Sequence, residues 1–138
     1  MNDVHDLQRF IEAQTGSYAA ALAELRAGRK RTHWMWFVFP QIAGLGHSAM
    51  AQHYAIASRD EAVAYLAHVT LGPRLRDCTR AVLDVPGRTA HEIFGAPDDT
   101  KFRSCMTLFD TVSPGDIFNE ALARFFAGQR DPATLTRV

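Results

Sequence analysis

The side chains best suited to bind a ligand or take part in a reaction lie in one short stretch, where basic residues are followed at once by histidine and tryptophan. They are Lys30, His33, Trp34, Trp36 and Gln41. Cations hold phosphate or carboxylate groups, and indole rings stack on a base or another flat ring. We therefore predict a ligand site in which Lys30, Trp34, Trp36 and Gln41 bind and His33 handles a proton.

The same stretch has a second interpretation that involves no ligand. Lys30 and its basic neighbours follow a predicted helix, where cations complement the exposed carbonyls and the helix dipole. The two tryptophans then fill the core, and the place of Trp36 inside a continuous apolar run predicts that it is buried. Both interpretations remain open. A concave polar pocket beside Trp34 and Trp36 would favour the ligand site.

A second group of charged residues lies at the predicted start of a later helix. Asp98 and Asp99 come directly before Lys101 and Arg103. Two carboxylates at a helix N-terminus serve first as caps. If the group faces the tryptophan segment, Asp99 is a candidate general base and Lys101 a further ligand-binding residue.

Familiar cofactor and metal motifs are absent from the sequence. It contains no phosphate loop, no nucleophile elbow, no dinucleotide fingerprint and no HExxH zinc motif. Cys78 and Cys105 form no CxxC pair, and the six histidines are scattered. We therefore predict no cofactor and no metal site, with both cysteines as small buried thiols.

Length and charge limit the classes of function. A chain of 138 residues fits one domain, which we place at residues 1–138. The 15 basic residues balance the 15 acidic ones, so we expect no binding to duplex DNA and none to a membrane. The N-terminus is polar and resembles no signal peptide, which predicts a soluble cytoplasmic protein. The sequence predicts no particular oligomeric state.

Helix-start signals recur along the chain and predict an all-α fold, a single compact domain of several short capped helices. Apolar residues follow each signal at steps of three and four. The predicted caps are Asp3, Ser17, Ser48, Ser58, Thr89, the pair Asp98 and Asp99, Ser113 and Asp131. The segment Thr32–Gln41 is predicted to be a short buried helix or an extended passage through the core, ended by Pro40.

Several of these segments together resemble a known bacterial family. They are Gly28–Gln41, Gly44–Ser48, Tyr65–His68, Leu71–Leu75 and Ile93–Phe109. They are similar to the signature of the family catalogued as domain of unknown function 1810. The resemblance implies a mainly helical single domain and brings no known activity. Cys105 departs from the serine expected there, which argues against a nucleophile at that position.

Two further implications of the resemblance concern function. Some family members carry the label calpastatin, but that inhibitor is an extended disordered chain, whereas this sequence is apolar and periodic. The segment from Asp98 to Phe109 also resembles, at the level of the fold, helical proteins that process ADP-ribose or related nucleotides. We therefore expect a small anionic, nucleotide-type ligand, with ADP-ribose as the best candidate. The alternative is a non-enzymatic protein-interaction module, and the sequence does not decide whether the protein is an enzyme.

Overall fold

Short helices joined by tight loops make up the chain. The computed structural model describes residues 3–138, and within that range it contains ten helices. In chain order they are α1 (Gln8–Thr15), α2 (Tyr18–Arg26), α3 (Met35–Val38), α4 (Ala49–His53), α5 (Arg59–Ala67), α6 (Leu71–Leu83), α7 (Ala90–Phe94), α8 (Asp98–Val112), α9 (Ile117–Phe126) and α10 (Pro132–Leu135). Extended pairing among the described residues is confined to an isolated parallel bridge between Ile42 and Ile56. The all-α prediction is confirmed.

The longest helix, α8, lies at the centre of the core. It packs against α5, α7, α9 and α10, while α6 packs against α2, α5 and α9. Phe102 of α8 is fully buried and meets Phe39 and Phe94 at ring-centroid distances of 5.1 Å and 4.6 Å. Truncating a buried aromatic such as this typically costs about 3–5 kcal/mol. The first turn of α8 is therefore fixed against the segment that carries both tryptophans.

Four of the predicted caps are confirmed. The hydroxyls of Ser48 and Ser58 accept hydrogen bonds from backbone N–H groups in the first turns of α4 and α5. Thr89 begins α7 with a complete capping box, in which the side chain of Glu92 accepts in return from the backbone of Thr89. Asp131 caps α10, whose first residue is a proline.

Three predicted caps are wrong, with the pair Asp98 and Asp99 counted as one. Both of these residues lie inside the first turn of α8, and Pro97, the residue before that helix, makes no side-chain capping bond. Ser17 precedes α2 but its side chain makes no capping bond. Asp116, not Ser113, caps α9, so the proline after Ser113 lies before the helix and not at its first position. The carboxylate of Asp116 accepts from the Ile117 N–H, from the Ser113 hydroxyl and from the Arg76 guanidinium. A charged acceptor with several donors competes better for this role than a hydroxyl does.

The ambiguous segment from Thr32 to Gln41 contains a short helix, α3, which ends two residues before Pro40. The side-chain amide of Gln14 fixes α3 by donating to the Phe37 carbonyl at 2.7 Å. Trp34, just before α3, is only 1% exposed. Trp36 is half-buried, so the prediction of its burial is wrong. One face of a four-residue helix reaches the core, and Trp36 lies at the edge of that face.

Candidate functional site

A concave surface opens between the loop that follows α3 and the N-terminal half of α8. We call it the outer cleft, and its volume is about 470 Å³. Gln41, His47 and Ser48 line one wall. Polar residues of α8 and the start of α10 line the other: Thr100, Lys101, Ser104 and Asp131.

A smaller and more enclosed cavity adjoins the outer cleft. We call it the inner chamber; its volume is about 130 Å³. The two cavities share Gln41, Gly46 and Ala51, and the inner chamber adds Trp36, Gln52 and Tyr54 as its aromatic and amide walls. The tryptophan segment therefore borders a concave polar pocket, the observation that favours a ligand site over a core-filling role for Trp36.

Backbone pairing holds the floor of the inner chamber in place. The Ile56 N–H donates to the Gln41 carbonyl, and the Ala43 N–H donates to the Ile56 carbonyl, both at 2.8 Å. Arg9 then anchors the adjoining chain, since its guanidinium donates to the carbonyls of His53 and Ala55. A site held by such contacts is preorganised, so binding costs less ordering of the chain.

Two lysine–indole pairs meet at Asp98, behind the outer cleft. The ammonium of Lys30 lies 2.9 Å from Asp98 Oδ2 and 5.1 Å from the Trp34 ring centroid. The ammonium of Lys101 lies 3.6 Å from Asp98 Oδ1 and 5.6 Å from the Trp36 ring centroid. Both distances to the rings suit a cation–π interaction. Asp98 therefore balances the charge of one of the two lysines.

Glu24 fixes the Trp34 side of this arrangement. Its Oε1 accepts from the Trp34 indole N–H at 3.0 Å and from two backbone N–H groups, and the Thr32 hydroxyl donates to Oε2 at 2.6 Å. Partial burial opposes ionisation of Glu24, but these hydrogen bonds outweigh it and lower its pKa to about 2. The Trp34 indole N–H therefore has its partner inside the protein.

Asp131 is the fixed carboxylate of the outer cleft. Its Oδ2 accepts from the Ser104 hydroxyl at 2.9 Å and from the Thr134 hydroxyl at 2.5 Å. Its own N–H donates to the Thr107 hydroxyl at 2.9 Å. Partial burial opposes ionisation of Asp131, yet the hydrogen bonds from Thr134 and Ser104 hold its pKa below the usual range. The cleft thus presents a carboxylate as well as a cation.

The structure separates the seven predicted site residues into two groups. Trp36, Gln41 and Lys101 line the cavities, and Lys30 and Trp34 adjoin them through Asp98. The two predicted proton-handling residues lie outside both cavities. His33 is exposed, and Asp99 faces His91, whose Nδ1 lies 3.2 Å from Asp99 Oδ2.

Lys30 also differs from its expected setting. A lysine that follows a helix end can extend into solvent, but the side chain of Lys30 is only 7% exposed. The Lys30 N–H donates to the Ile93 carbonyl at 2.7 Å, and this hydrogen bond holds the backbone of Lys30 against α7. Lys30 is therefore a buried partner of Asp98, and Lys101, with a side chain 27% exposed, is the cation that faces the cleft.

Sequence reasoning did not select most of the residues that line these cavities, and four of them bear on the ligand proposed below. They are Gln52, Tyr54, Ser104 and Asp131. Asp131 carried a visible signal, since the acid before Pro132 predicted a cap, but the same carboxylate also binds Ser104, 27 residues earlier. No local pattern indicates a contact over that distance.

Metal ligands and reactive thiols do not cluster in the part of the chain that the structure describes. No group of three or more His, Cys, Asp or Glu side chains there could hold a metal ion. Both cysteines are buried, and burial raises the pKa of the Cys78 thiol to about 12 and that of Cys105 well above its usual value. Neither thiol is an activated nucleophile. Between residues 3 and 138, every helix is too short or too polar to cross a membrane.

Comparison with known proteins assigns the chain to a family. The model of a family described as "Protein of unknown function (DUF1810)" matches residues 4–138, so the chain belongs to that family. Among solved structures, it is similar to the crystal structure of the conserved hypothetical protein Rv1873 from Mycobacterium tuberculosis. The two chains are 51% identical, and the match has a TM-score of 0.96 and covers 97% of this chain and 96% of the other. No curated protein matches the chain.

Proposed function

We propose that the outer cleft and the inner chamber bind a small anionic ligand of the nucleotide type. The observation that carries the proposal is the placement of Lys101 beside Trp36 at a concave polar surface. The half-buried indole offers a stacking surface, and the partly exposed ammonium offers a charge-assisted contact to a phosphate. Ligand pockets commonly combine aromatic walls with a few polar groups in this way.

ADP-ribose is the specific candidate within this class. Its support is the fold-level resemblance of the segment from Asp98 to Phe109, together with an outer cleft of about 470 Å³ beside that segment. The volume lies within the range of small-molecule sites. Proton transfer by His33 or Asp99 stays a prediction, and it requires a ligand that extends beyond the two cavities.

The experiment is a thermal-shift and calorimetric screen of the purified protein against ADP-ribose, ADP, AMP and UMP. A ligand present at about 100 times its Kd should stabilise the fold by about 2.7 kcal/mol. Lys101→Ala should weaken binding at least tenfold, about 1.4 kcal/mol. The matched control is Arg80→Ala, which removes a cation paired with Glu120 at a surface outside both cavities.

Two outcomes would contradict the proposal. One is the absence of any shift with all four compounds, and the other is an equal loss of affinity in the control variant. A protein-interaction module would then be the better-supported function, because another groove of about 470 Å³ lies along the N-terminal segment. Val4 lines that groove and is 77% exposed, and Val69, beside the lining residue His68, is 86% exposed. Exposed apolar residues of this kind favour a protein-interaction module.

A further inference from the structure

The inner chamber is the right size for a single ring. Its volume is about 130 Å³. An engineered protein cavity of about 150 Å³ holds one benzene molecule. A six-membered heterocycle therefore fits the inner chamber, whereas a fused two-ring purine would have to protrude from it or displace its walls.

The walls of the inner chamber suit a flat ring. Trp36 and Tyr54 both line it, and Tyr54 is held by aromatic neighbours. Its ring centroid lies 5.4 Å from that of Phe37 and 5.9 Å from that of Phe10. Stacking on an aromatic side chain is worth about 1–3 kcal/mol per base and needs only a π face.

Two amide side chains supply polar groups at the same place. Gln52 donates through Nε2 to the His47 carbonyl at 2.9 Å, which orients the amide and leaves its carbonyl oxygen as an acceptor. The side chain of Gln41 makes no hydrogen bond within residues 3–138, so its donors and acceptor are available to a ligand. Amides of this kind match the alternating donors and acceptors of a base edge.

Outside the chamber, the groups change from aromatic to charged. Lys101 faces the outer cleft and suits a phosphate, while the fixed carboxylate of Asp131 suits sugar hydroxyls. A ligand that runs from the inner chamber into the outer cleft would present a ring first, then hydroxyls and an anion.

Resting on the proposed function, we infer that the inner chamber receives the base and selects single-ring pyrimidine nucleotides over purine nucleotides. Gln41, Gly46 and Ala51 line both compartments, so the two adjoin, and we place one molecule across both. Ring size then determines how deeply the base enters.

The test is calorimetric titration of the wild-type protein with UMP, CMP, AMP and GMP in one buffer. We expect at least one pyrimidine nucleotide to bind at least tenfold more tightly than both purine nucleotides. Uridine, which lacks the phosphate, should bind at least tenfold more weakly than UMP, because it makes no contact with Lys101.

Two variants localise the selectivity. Ala55→Leu places a larger side chain in the inner chamber, and Ala123→Leu makes the same change at an exposed position of α9. Only Ala55→Leu should abolish the preference for pyrimidines. Gln52→Ala is a second variant, at an exposed position, and should weaken the binding of UMP at least threefold. It tests the placement of the base if Ala55→Leu fails to fold.

The outcomes separate this inference from the proposed function. Purine nucleotides or ADP-ribose binding as tightly as UMP and CMP would overturn the selectivity and leave the nucleotide site standing. Binding of pyrimidines that is unchanged in both Ala55→Leu and Gln52→Ala would overturn the placement of the base. If none of these nucleotides binds the wild-type protein, the proposed function and the inference both fail.

Discussion

The two tryptophans lie two residues apart but belong to different regions of the molecule. Trp34 is 1% exposed, its N–H is bound to Glu24, and the lysine over its ring is itself 7% exposed. Trp36 is half-buried at the inner chamber, and the lysine over its ring is 27% exposed. The same pair of residue types therefore forms a structural contact in one region and a solvent-facing surface in the other.

The difference follows from what surrounds each pair. Asp98 forms an ion pair with each lysine, so charge alone does not distinguish them. The Trp34 pair is enclosed because the N–H of Lys30 is tied to the Ile93 carbonyl at 2.7 Å. The Trp36 pair borders the open space between the loop after α3 and the start of α8. Enclosure, rather than residue type, therefore separates a stabilising contact from a binding surface.

The largest expected loss of stability comes from removing the buried indole of Trp34. Trp34→Ala should lower the free energy of unfolding by about 3–5 kcal/mol, because it removes a buried aromatic and leaves Glu24 without one of its donors. Trp36→Ala, at a half-buried position, should cost no more than about 2 kcal/mol. Urea unfolding of both variants gives the comparison. Equal costs would show that the two regions are energetically alike.

We expect the same difference in stability between variants of the two lysines, with smaller losses than for the tryptophans. Lys30→Ala should cost about 2–4 kcal/mol, since it removes a buried partner of Asp98 and the packing of the lysine stem on Trp34. Lys101→Ala should cost less than about 1 kcal/mol, as for a partly exposed ion pair. Unfolding midpoints of the two variants, measured side by side, check this. A larger loss for Lys101→Ala would reverse the assignment of which lysine is structural.

The sequence predicted those features of the fold that depend on neighbouring residues in the chain. Caps such as Ser48, Ser58 and Thr89 act on N–H groups within three residues, so their patterns are visible along the chain. Ser113 failed as a cap because Asp116 also binds Arg76, which lies 40 residues earlier. Tertiary contacts of that kind override a local preference.

The candidate site was predicted in part for the same reason. The stretch from Lys30 to Gln41 indicated cations, indoles and an amide, and the structure brings Trp36, Gln41 and Lys101 to the two cavities. The pattern of one apolar run does not show which tryptophan faces the core, since α8 and the loop after α3 determine that. The carboxylate of Asp131 depends on a contact with Ser104 across 27 residues.

The last and smallest expected effect concerns the acid that holds Trp34 in place. Glu24→Gln keeps the shape of the side chain but removes its charge, and should cost about 1–3 kcal/mol at pH 7, as for hydrogen bonds to a charged group. The pKa of Glu24 is about 2 in the folded protein against the usual 4.5. Because folding lowers this pKa, its stabilisation is fully present above pH 4.5 and is lost as the pH falls towards 2.

The stability gap between the wild-type protein and Glu24→Gln should therefore narrow between pH 4.5 and 2. Urea unfolding across that range measures the gap. Glu120→Gln is the matched control, because its carboxylate forms an exposed ion pair with Arg80 and its loss should cost less than about 1 kcal/mol. A gap for Glu24→Gln that stays constant over the whole range would show that Glu24 holds Trp34 by shape and neutral hydrogen bonds. The enclosed region would then owe its stability to packing and neutral hydrogen bonds, and the contrast with the open region would rest on burial and not on charge.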